Sequence, residues 1–334
     1  VGEKMVDVSI IIVNFNTKEL IRACIESIYE NTKKISYEII VVDNASSDDS
    51  TAMLKRDFTE VKLIESKVNG GFAYANNLGI KKSSGRYVFL LNSDTIIVKD
   101  VIEKMIKYMD ENDKIGMLGP KLLNKDLTHQ TSISGFPTFK REVYHMYKLK
   151  NVLKIPFVKS FFVKFGGKFG SKDVEQYMKN FQNIEEPEEV QVLVGAALLI
   201  KRQVIEDIGM LDERYFMYYE EIDFCLQASK ANWSRVYYPY VEIIHLIGQS
   251  SEKIGAITFY ERYRSMILYF RKNFGRSKEL HVRINLVIAL SFRVIGLTFL
   301  QIFKRSETIK NNKKIYLDTI KMATNENAIS KNRY

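Results

Sequence analysis

The sequence predicts an α/β protein: a doubly wound, mostly parallel sheet followed by a helical C-terminal extension. Three observations predict it. Short apolar, β-branched runs alternate with segments of helical period over residues 8–112, the order that βαβ units require. Polar residues gather where those runs end, at Asn14 and Asn16, at Asp43 and Asn44, and at Asn92 and Asp94, which is where ligands sit in such sheets. From Ile257 onward the chain reads as amphipathic helices.

Each element follows from local pattern. Residues 8–13 (VSIIIV) form a continuous apolar run, as expected of a strand buried on both faces. Asn16 with Glu19 three residues later has capping-box spacing for a helix over 17–29. Residues 38–42 (EIIVV) make a second buried strand, ending in the loop and helix start DNASSD (43–48). A helix over 50–57, a strand over 61–66, a loop and helix over 70–82, a strand over 86–91 and a helix over 100–112 follow. Residues 121–189 are less regular. Residues 191–200 (QVLVGAALLI) return to a buried strand, in which the small residues Gly195, Ala196 and Ala197 mark close approach by a ligand or another backbone. A loop over 206–219, a helix over 221–231 and short strands over 235–238 and 242–245 complete a first domain of residues 1–255. Within it, 120–190 is a variable basic region for a binding partner or membrane; 256–334 is the helical extension.

With 46% hydrophobic and 12% aromatic residues in 334, the chain can bury a real core, and disorder is excluded as its general state. Cys24 and Cys225 are its two cysteines, which argues for a reducing compartment and against a disulfide scaffold. Residues 1–7 carry no signal peptide pattern. The net charge of +10 is uneven: residues 140–172 carry +8 and residues 256–334 carry +11, leaving −9 on the rest. No helix-turn-helix, zinc finger or RNA-binding aromatic signature accompanies the basic segments, so nucleic acid is not the expected partner. Both segments interleave cations with apolar residues, which fits an anionic membrane surface. Residues 286–303 are apolar apart from Arg293 and Gln301, and an arginine near the centre of a spanning helix costs roughly 2.5–3.5 kcal/mol. A helix lying in the interface, or packed on the protein, is expected instead. Peripheral attachment to the cytoplasmic face of the membrane follows.

Asp43 and Asp94 each end an apolar strand; either is also an ordinary helix cap. Together at neighbouring strand ends they form an acidic site, and a carboxylate beside a nucleotide's phosphates needs a divalent cation between them. His245 ends another apolar run; it is a metal ligand or a satisfied core histidine. Glu220, Glu221 and Asp223 follow the aromatic stretch 215–219, where apolar neighbours raise a carboxylate's pKa toward that of a general base. The same acids also suit a solvated helix N-terminus. Asn69-Gly70-Gly71-Phe72 is not a dinucleotide fingerprint, and no P-loop lysine or Gly-x-Ser-x-Gly elbow occurs, which argues against dehydrogenases, P-loop kinases and α/β-hydrolases.

Taken in order, VSIIIVNFN (8–16), EIIVVDNASSDDS (38–50), NGGFAYANNLGI (69–80), YVFLLNSDT (87–95), VGAALLIKR (194–202), GMLDERYFMYYEEIDFCL (209–226) and IIHLIGQSS (243–251) resemble glycosyltransferase family 2, with its GT-A fold, and its rhamnosyltransferase-like branch. The resemblance implies an inverting transfer of rhamnose or another hexose from a dTDP- or UDP-sugar to a saccharide or lipid-linked acceptor in surface polysaccharide synthesis. It implies Mg²⁺ or Mn²⁺ held by Asp94 and His245, and Glu221 as catalytic base where the family has Asp. It implies a donor-binding set of Asn14, Phe15, Asp43, Asn69, Asn77, Asn92, Ser93 and Gly195. Asn92 replaces the first acid of the family's metal motif, and Gln227 replaces its arginine. A sugar nucleotidyltransferase is the rival enzyme, although VNFNTKEL (13–20) lacks the glycine run of such enzymes. A saccharide-binding membrane scaffold without activity is the non-enzymatic rival.

Overall fold

The computed structural model describes residues 6–147, 184–246, 255–304 and 306–330. Much of the first basic segment (148–172), residues 1–5, Arg305 and the IGQSS end of the last matching stretch (247–251) lie outside the described residues. In chain order the elements are β1 (Val8–Asn14), α1 (Lys18–Asn31), β2 (Tyr37–Asp43), α2 (Ser50–Asp57), β3 (Lys62–Glu65), α3 (Gly71–Lys82), β4 (Tyr87–Asn92), β5 (Thr95–Ile97), α4 (Val101–Asp110), β6 (Ile115–Leu123), β7 (His129–Gln130), β8 (Ile133–Ser134) and α5 (Phe139–Met146). They continue with β9 (Glu188–Glu189), β10 (Val192–Leu193), β11 (Ala197–Lys201), α6 (Arg202–Ile208), α7 (Glu220–Lys230), β12 (Ser234–His245), α8 (Gly255–Phe303), α9 (Glu307–Thr324) and α10 (Asn327–Ser330).

The described residues divide into two compact units: 6–136 with 184–246, and 137–147 with 255–304 and 306–330. The second takes in α5 as well as the C-terminal helices.

In the first unit the main sheet runs β3-β2-β1-β4-β11-β6-β12-β5. The β3-β2-β1-β4 half is parallel, β11 and β5 run antiparallel to their neighbours, and β6 pairs parallel with β12. Its central strands β1, β2, β4 and β11 bury both faces. Ile10, Ile12, Ile39, Val41, Phe89 and Leu91 meet α1, α2 and α4 on one side; Ile11, Ile40, Val42, Val88 and Leu90 meet α3, α6 and α7 on the other. That is why these runs are continuously apolar instead of alternating. The chain leaves β1 for β2 and β3 on one side and returns as β4 on the other, so the sheet order reverses beside β1. Open α/β sheets bind ligands at such a reversal, off the carboxyl ends of the strands.

Several local expectations change. The expected capping box does not form: Thr17 is the N-cap, without a side-chain cap, and Asp48 Oδ2 instead accepts from Lys18 N at 3.1 Å. Asn16 adopts φ +55° and accepts from Ser47 N and Asp48 N, so its oxygen is turned away from the helix. The run 191–200 is two strands, β10 and β11, broken at Gly195-Ala196. β12 is one strand in place of two, with its pairing to β6 interrupted between Tyr238 and Glu242, where Pro239 lacks a donor. α6 occupies the start of the expected 206–219 loop. β6 went unread because Gly116, Gly119 and Pro120 look like breakers. The glycines are there for contact: a Cβ on Gly116 would lie 2.7 Å from Val204, and one on Gly119 2.8 Å from Leu193.

In the second unit α8 is broken at Gly275 (φ 81°, ψ 176°) and packs with α5 and α9. Its Arg283 is buried; it bonds Glu279 at 2.9 Å and the Ala323 carbonyl at 2.6 Å, fixing the end of α9.

Gly71 joins the α3 start to the loop before α7. It has φ +85°, and an added Cβ would stand 2.1 Å from the Phe216 carbonyl oxygen, which accepts from Phe72 N at 2.8 Å. Gly71→Ala is expected to cost about 2 kcal/mol or more in urea unfolding. Gly209→Ala, with φ +83° but open space around it, should cost only about 1 kcal/mol. Equal losses would remove the steric argument.

Candidate active site

The strand ends are tied together by one buried network. Asn14 is 0% exposed. Its Nδ2 donates to Asp43 Oδ1 at 2.7 Å and to Ser46 Oγ at 3.1 Å; its Oδ1 accepts from Thr17 Oγ1 at 2.7 Å. Thr17 Oγ1 lies 3.0 Å from Ser93 Oγ, so β1, β2 and the turn after β4 are joined. Asp43 is 2% exposed and its Oδ2 accepts from Ser46 N at 3.0 Å. Both its oxygens are engaged, so a donor base would use their remaining lone pairs. Asn44 extends the network: it donates to Asn69 Oδ1 at 2.8 Å and accepts from Gly70 N at 3.0 Å. Phe15 is half-buried on the turn beside Asn14.

A second cluster lies where β12 meets β5. The pairing His245↔Thr95 brings the imidazole next to Asp94. His245 Nε2 is 3.2 Å from Asp94 Oδ1 and 3.3 Å from Asn92 Nδ2, and its Nδ1 is 2.7 Å from Gln130 Oε1. Asp94 and His245 could hold a metal ion between them; among the described residues no third His, Cys, Asp or Glu joins them. An oxygen and a ring nitrogen facing one another at 3.2 Å fit a shared cation, and two protein ligands suit an ion that also takes phosphate and water oxygens.

The third cluster is acidic and out of water. Asn92 N donates to the Ala196 carbonyl at 2.9 Å, and a Cβ on Gly195 would lie 3.3 Å from Glu221 Cβ. Gly195 thus lets α7 approach the turn between β10 and β11, which accounts for the small residues read in the sequence. Tyr218 and Tyr219 precede α7 with φ of 65° and 70°, a left-handed pair that costs roughly 1–3 kcal/mol per residue. Glu220 is 6% exposed; Glu221 keeps some exposure as a residue, but the Oε2 atoms of both are buried without a hydrogen-bond partner. Burial and then the neighbouring Glu221 charge push Glu220 well above the usual carboxylate range; burial raises Glu221 also. Burial pushes the Cys24 and Cys225 thiols up to about 12, which removes both as nucleophiles.

One expected donor-binding residue is corrected. Asn77 is buried, with its amide bonded to the Leu211 carbonyl (2.7 Å), Glu213 Oε1 (2.9 Å) and Leu211 N (3.1 Å). It holds the loop after α6 and has no free donor for a ligand. The sequence reading placed Asn44 at a strand end without giving it a role, and it missed Thr17, Ser46 and Gln130. The first three stand beside motif residues and were legible as polar positions at strand ends; Gln130 stands 115 residues from its histidine and has no local signal.

Polar groups gathered at the sheet reversal, with carboxylates held out of water beside them, sit on a sheet of the GT-A fold class. The family described as Glycosyl transferase family 2 matches residues 9–209, and the chain belongs to that family. It is 26% identical over 278 residues to the low-salt glycan biosynthesis hexosyltransferase Agl10 of Haloferax volcanii (82% of this chain, 76% of that one). It is 26% identical over 247 residues to the dTDP-rhamnosyl transferase RfbF of Shigella flexneri (70% and 71%). It is 24% identical over 243 residues to the N-acetylglucosaminyl-diphospho-decaprenol L-rhamnosyltransferase of Mycobacterium tuberculosis (69% and 73%). Among solved structures, the mannosyltransferase PcManGT of Pyrobaculum calidifontis, in complex with GDP-Man and Mn²⁺, shares the fold with a TM-score of 0.52 and 13% identity, covering 98% of this chain and 87% of that one.

The raised Glu220 has a consequence for stability. The folded state binds its proton more tightly than the unfolded state, so stability falls as pH rises from the unfolded carboxylate value, 4.5, toward the folded one. Glu220→Gln is therefore expected to be more stable than wild type at pH 7, with the gain shrinking to nothing as pH falls below that unfolded value. Thermal unfolding across this range checks it; a gain independent of pH contradicts it.

Proposed function

We propose that this glycosyltransferase inverts the donor's anomeric centre, depends on a divalent metal, and takes a dTDP- or UDP-activated hexose, rhamnose first among them, to a lipid-linked or saccharide acceptor. The facing of Asp94 and His245 across 3.2 Å, beside the strand-end network, is the observation that carries this reading. Mg²⁺ or Mn²⁺ held by that pair would neutralise the charge that develops on the departing nucleoside diphosphate. Asp43, Asn14 and the residues around them orient the nucleoside end. Glu221 takes the proton of the acceptor hydroxyl as that oxygen bonds to the anomeric carbon and the bond to the donor phosphate breaks. One displacement from the opposite face inverts the configuration. The dTDP-rhamnosyl and diphospho-decaprenol names of two relatives support the donor and the lipid-linked acceptor; the Mn²⁺ of the mannosyltransferase supports the metal.

Two substitutions separate these roles. Glu221→Gln should keep donor binding and lose roughly 10²–10⁴-fold in turnover, with Glu220→Gln milder. Asp94→Ala should lose metal-dependent nucleotide binding along with transfer. Full turnover by Asp94→Ala with unchanged nucleotide binding would end the metal assignment; a more severe Glu220→Gln would move the base by one residue.

Attachment to an anionic membrane surface is part of the proposal. α8 includes an 18-residue stretch apolar enough by length and composition to cross a membrane, with 17% of it buried. Leu280, Ile284, Ile288, Phe292, Ile295, Phe299 and Phe303 are exposed at helical spacing along one face. Arg293 is not on that face: it bonds the Met146 carbonyl and lies over the Tyr316 ring at 5.6 Å. Exposed Arg271, Lys272, Arg276 and Lys278 precede the stripe, and Lys304 and Lys310 follow it. An apolar face with cations at both ends supports a helix lying in the interface. The full chain is expected to float with anionic liposomes at low salt, and the triple variant Ile295→Ser, Phe299→Ser, Phe303→Ser to stay behind. Equal behaviour of the two would remove the membrane claim and leave the transferase untouched.

A further inference from the structure

We infer that Gln130 is a positioning residue that fixes His245 in its Nδ1–H tautomer and so keeps Nε2 as an unprotonated electron pair facing Asp94. The direction of each hydrogen bond is forced from one end of a chain of five residues. The Asp126 carboxylate accepts only, so the Thr128 hydroxyl, 2.6 Å away, donates to it. Thr128 Oγ1 is then free to accept from Asn124 Nδ2 at 2.9 Å, which turns Asn124 Oδ1 toward Gln130 Nε2 at 3.0 Å. Gln130 Nε2 also donates to the His245 carbonyl at 3.1 Å. A flipped Gln130 amide would set its oxygen against two acceptors, so Oε1 is the atom 2.7 Å from His245 Nδ1, and it can only accept. The ring proton therefore sits on Nδ1. Gln130 is 7% exposed, so water competes little at this end of the chain.

On the other side of the ring Nε2 faces a donor, Asn92 Nδ2 at 3.3 Å, and an acceptor, Asp94 Oδ1 at 3.2 Å; a cation shared with Asp94 needs that nitrogen unprotonated, so the proton must be held at Nδ1. The consequence for metal binding rests on the proposed role of Asp94 and His245: the tautomer that a ligand histidine needs is set before any ion arrives. Partners on the far ring nitrogen typically govern metal affinity by about 10–100-fold. β7 thus has a use that its two residues and its place in an irregular stretch do not advertise.

The test reads the tautomer directly. The full chain, labelled with ¹⁵N-histidine, is examined by long-range ¹H–¹⁵N correlation at about pH 8.5, where an unperturbed imidazole is neutral. His245→Gln assigns the signal, and the other three histidines, His129, His145 and His281, report an intact fold. Wild type is expected to show Nδ1–H; Gln130→Met should lose it, and Gln130→Glu, which still accepts at Nδ1, should keep it. Mn²⁺ binding with UDP or dTDP, followed by the resonance of free Mn²⁺, should weaken about 10–100-fold in Gln130→Met and recover in Gln130→Glu. An Nε2–H tautomer or an imidazolium in wild type, or Nδ1–H surviving in Gln130→Met, overturns the inference. Failure of wild type to bind Mn²⁺ with either nucleotide would overturn the metal reading instead, because the metal-free spectrum decides the tautomer on its own.

Discussion

β1 poses a problem of register that apolar packing does not solve. Both its faces are buried, and Ile10, Ile11 and Ile12 are interchangeable in size and chemistry. A one-residue slip exchanges faces in any strand, but here it would replace isoleucine by isoleucine. The polar residues at its two ends do the choosing. Ser9 is buried; it donates to Glu38 on β2 at 2.5 Å and accepts from Gly85 N at 2.8 Å ahead of β4. Asn14 binds Asp43, Ser46 and Thr17 at the other end. A slip would strand both, and a buried polar group without a partner costs about 1–3 kcal/mol. Asn14↔Asp43 and Val13↔Asn92 are thereby held level, and the site inherits its geometry from that alignment.

This explains how much could be read in advance. β1, β2 and β4 were legible because they are buried on both faces and their ends are polar, two signals that coincide at Asn14, Asp43 and Asn92. β6 was illegible for the opposite reason. Gly116, Gly119 and Pro120 lower its strand character, and their justification, contact with Val204 and Leu193, is tertiary. The expected capping box at Asn16 and Glu19 failed because the left-handed Asn16 is recruited by the 46–48 loop. Asn77 resembles its motif neighbours in sequence, yet α3 turns it toward the Leu211 loop. Motif membership locates a residue on the right segment; the direction of its side chain depends on what packs there.

The two halves of the site use opposite electrostatic solutions. At Asp94 and His245, groups that accept are brought together and left facing one another. At Glu220 and Glu221, carboxylates are desolvated and left short of donors. Both are unfavourable arrangements, and each leans on structure nearby: the first on the Gln130 chain and the Thr95 pairing, the second on the packing of Tyr215 and Tyr219. Burying a large apolar side chain contributes about 1.5–3 kcal/mol, enough to offset one left-handed residue but not to spare.

The glutamate pair also bears on which of its members acts. Two adjacent carboxylates out of water do not both ionise readily, since each charge opposes the other. Glu220 carries the stronger constraint: it is raised by burial and again by its neighbour, whereas burial alone raises Glu221. Of the two, Glu220 therefore holds its proton the more tightly, and Glu221 gives up its own the more readily. Gly195 leaves room for the Glu221 side chain, since a Cβ there would lie 3.3 Å from Glu221 Cβ. With Glu221 as the proposed base, Glu220 is the neighbour that holds a proton more tightly and leaves the charge more readily to the residue after it.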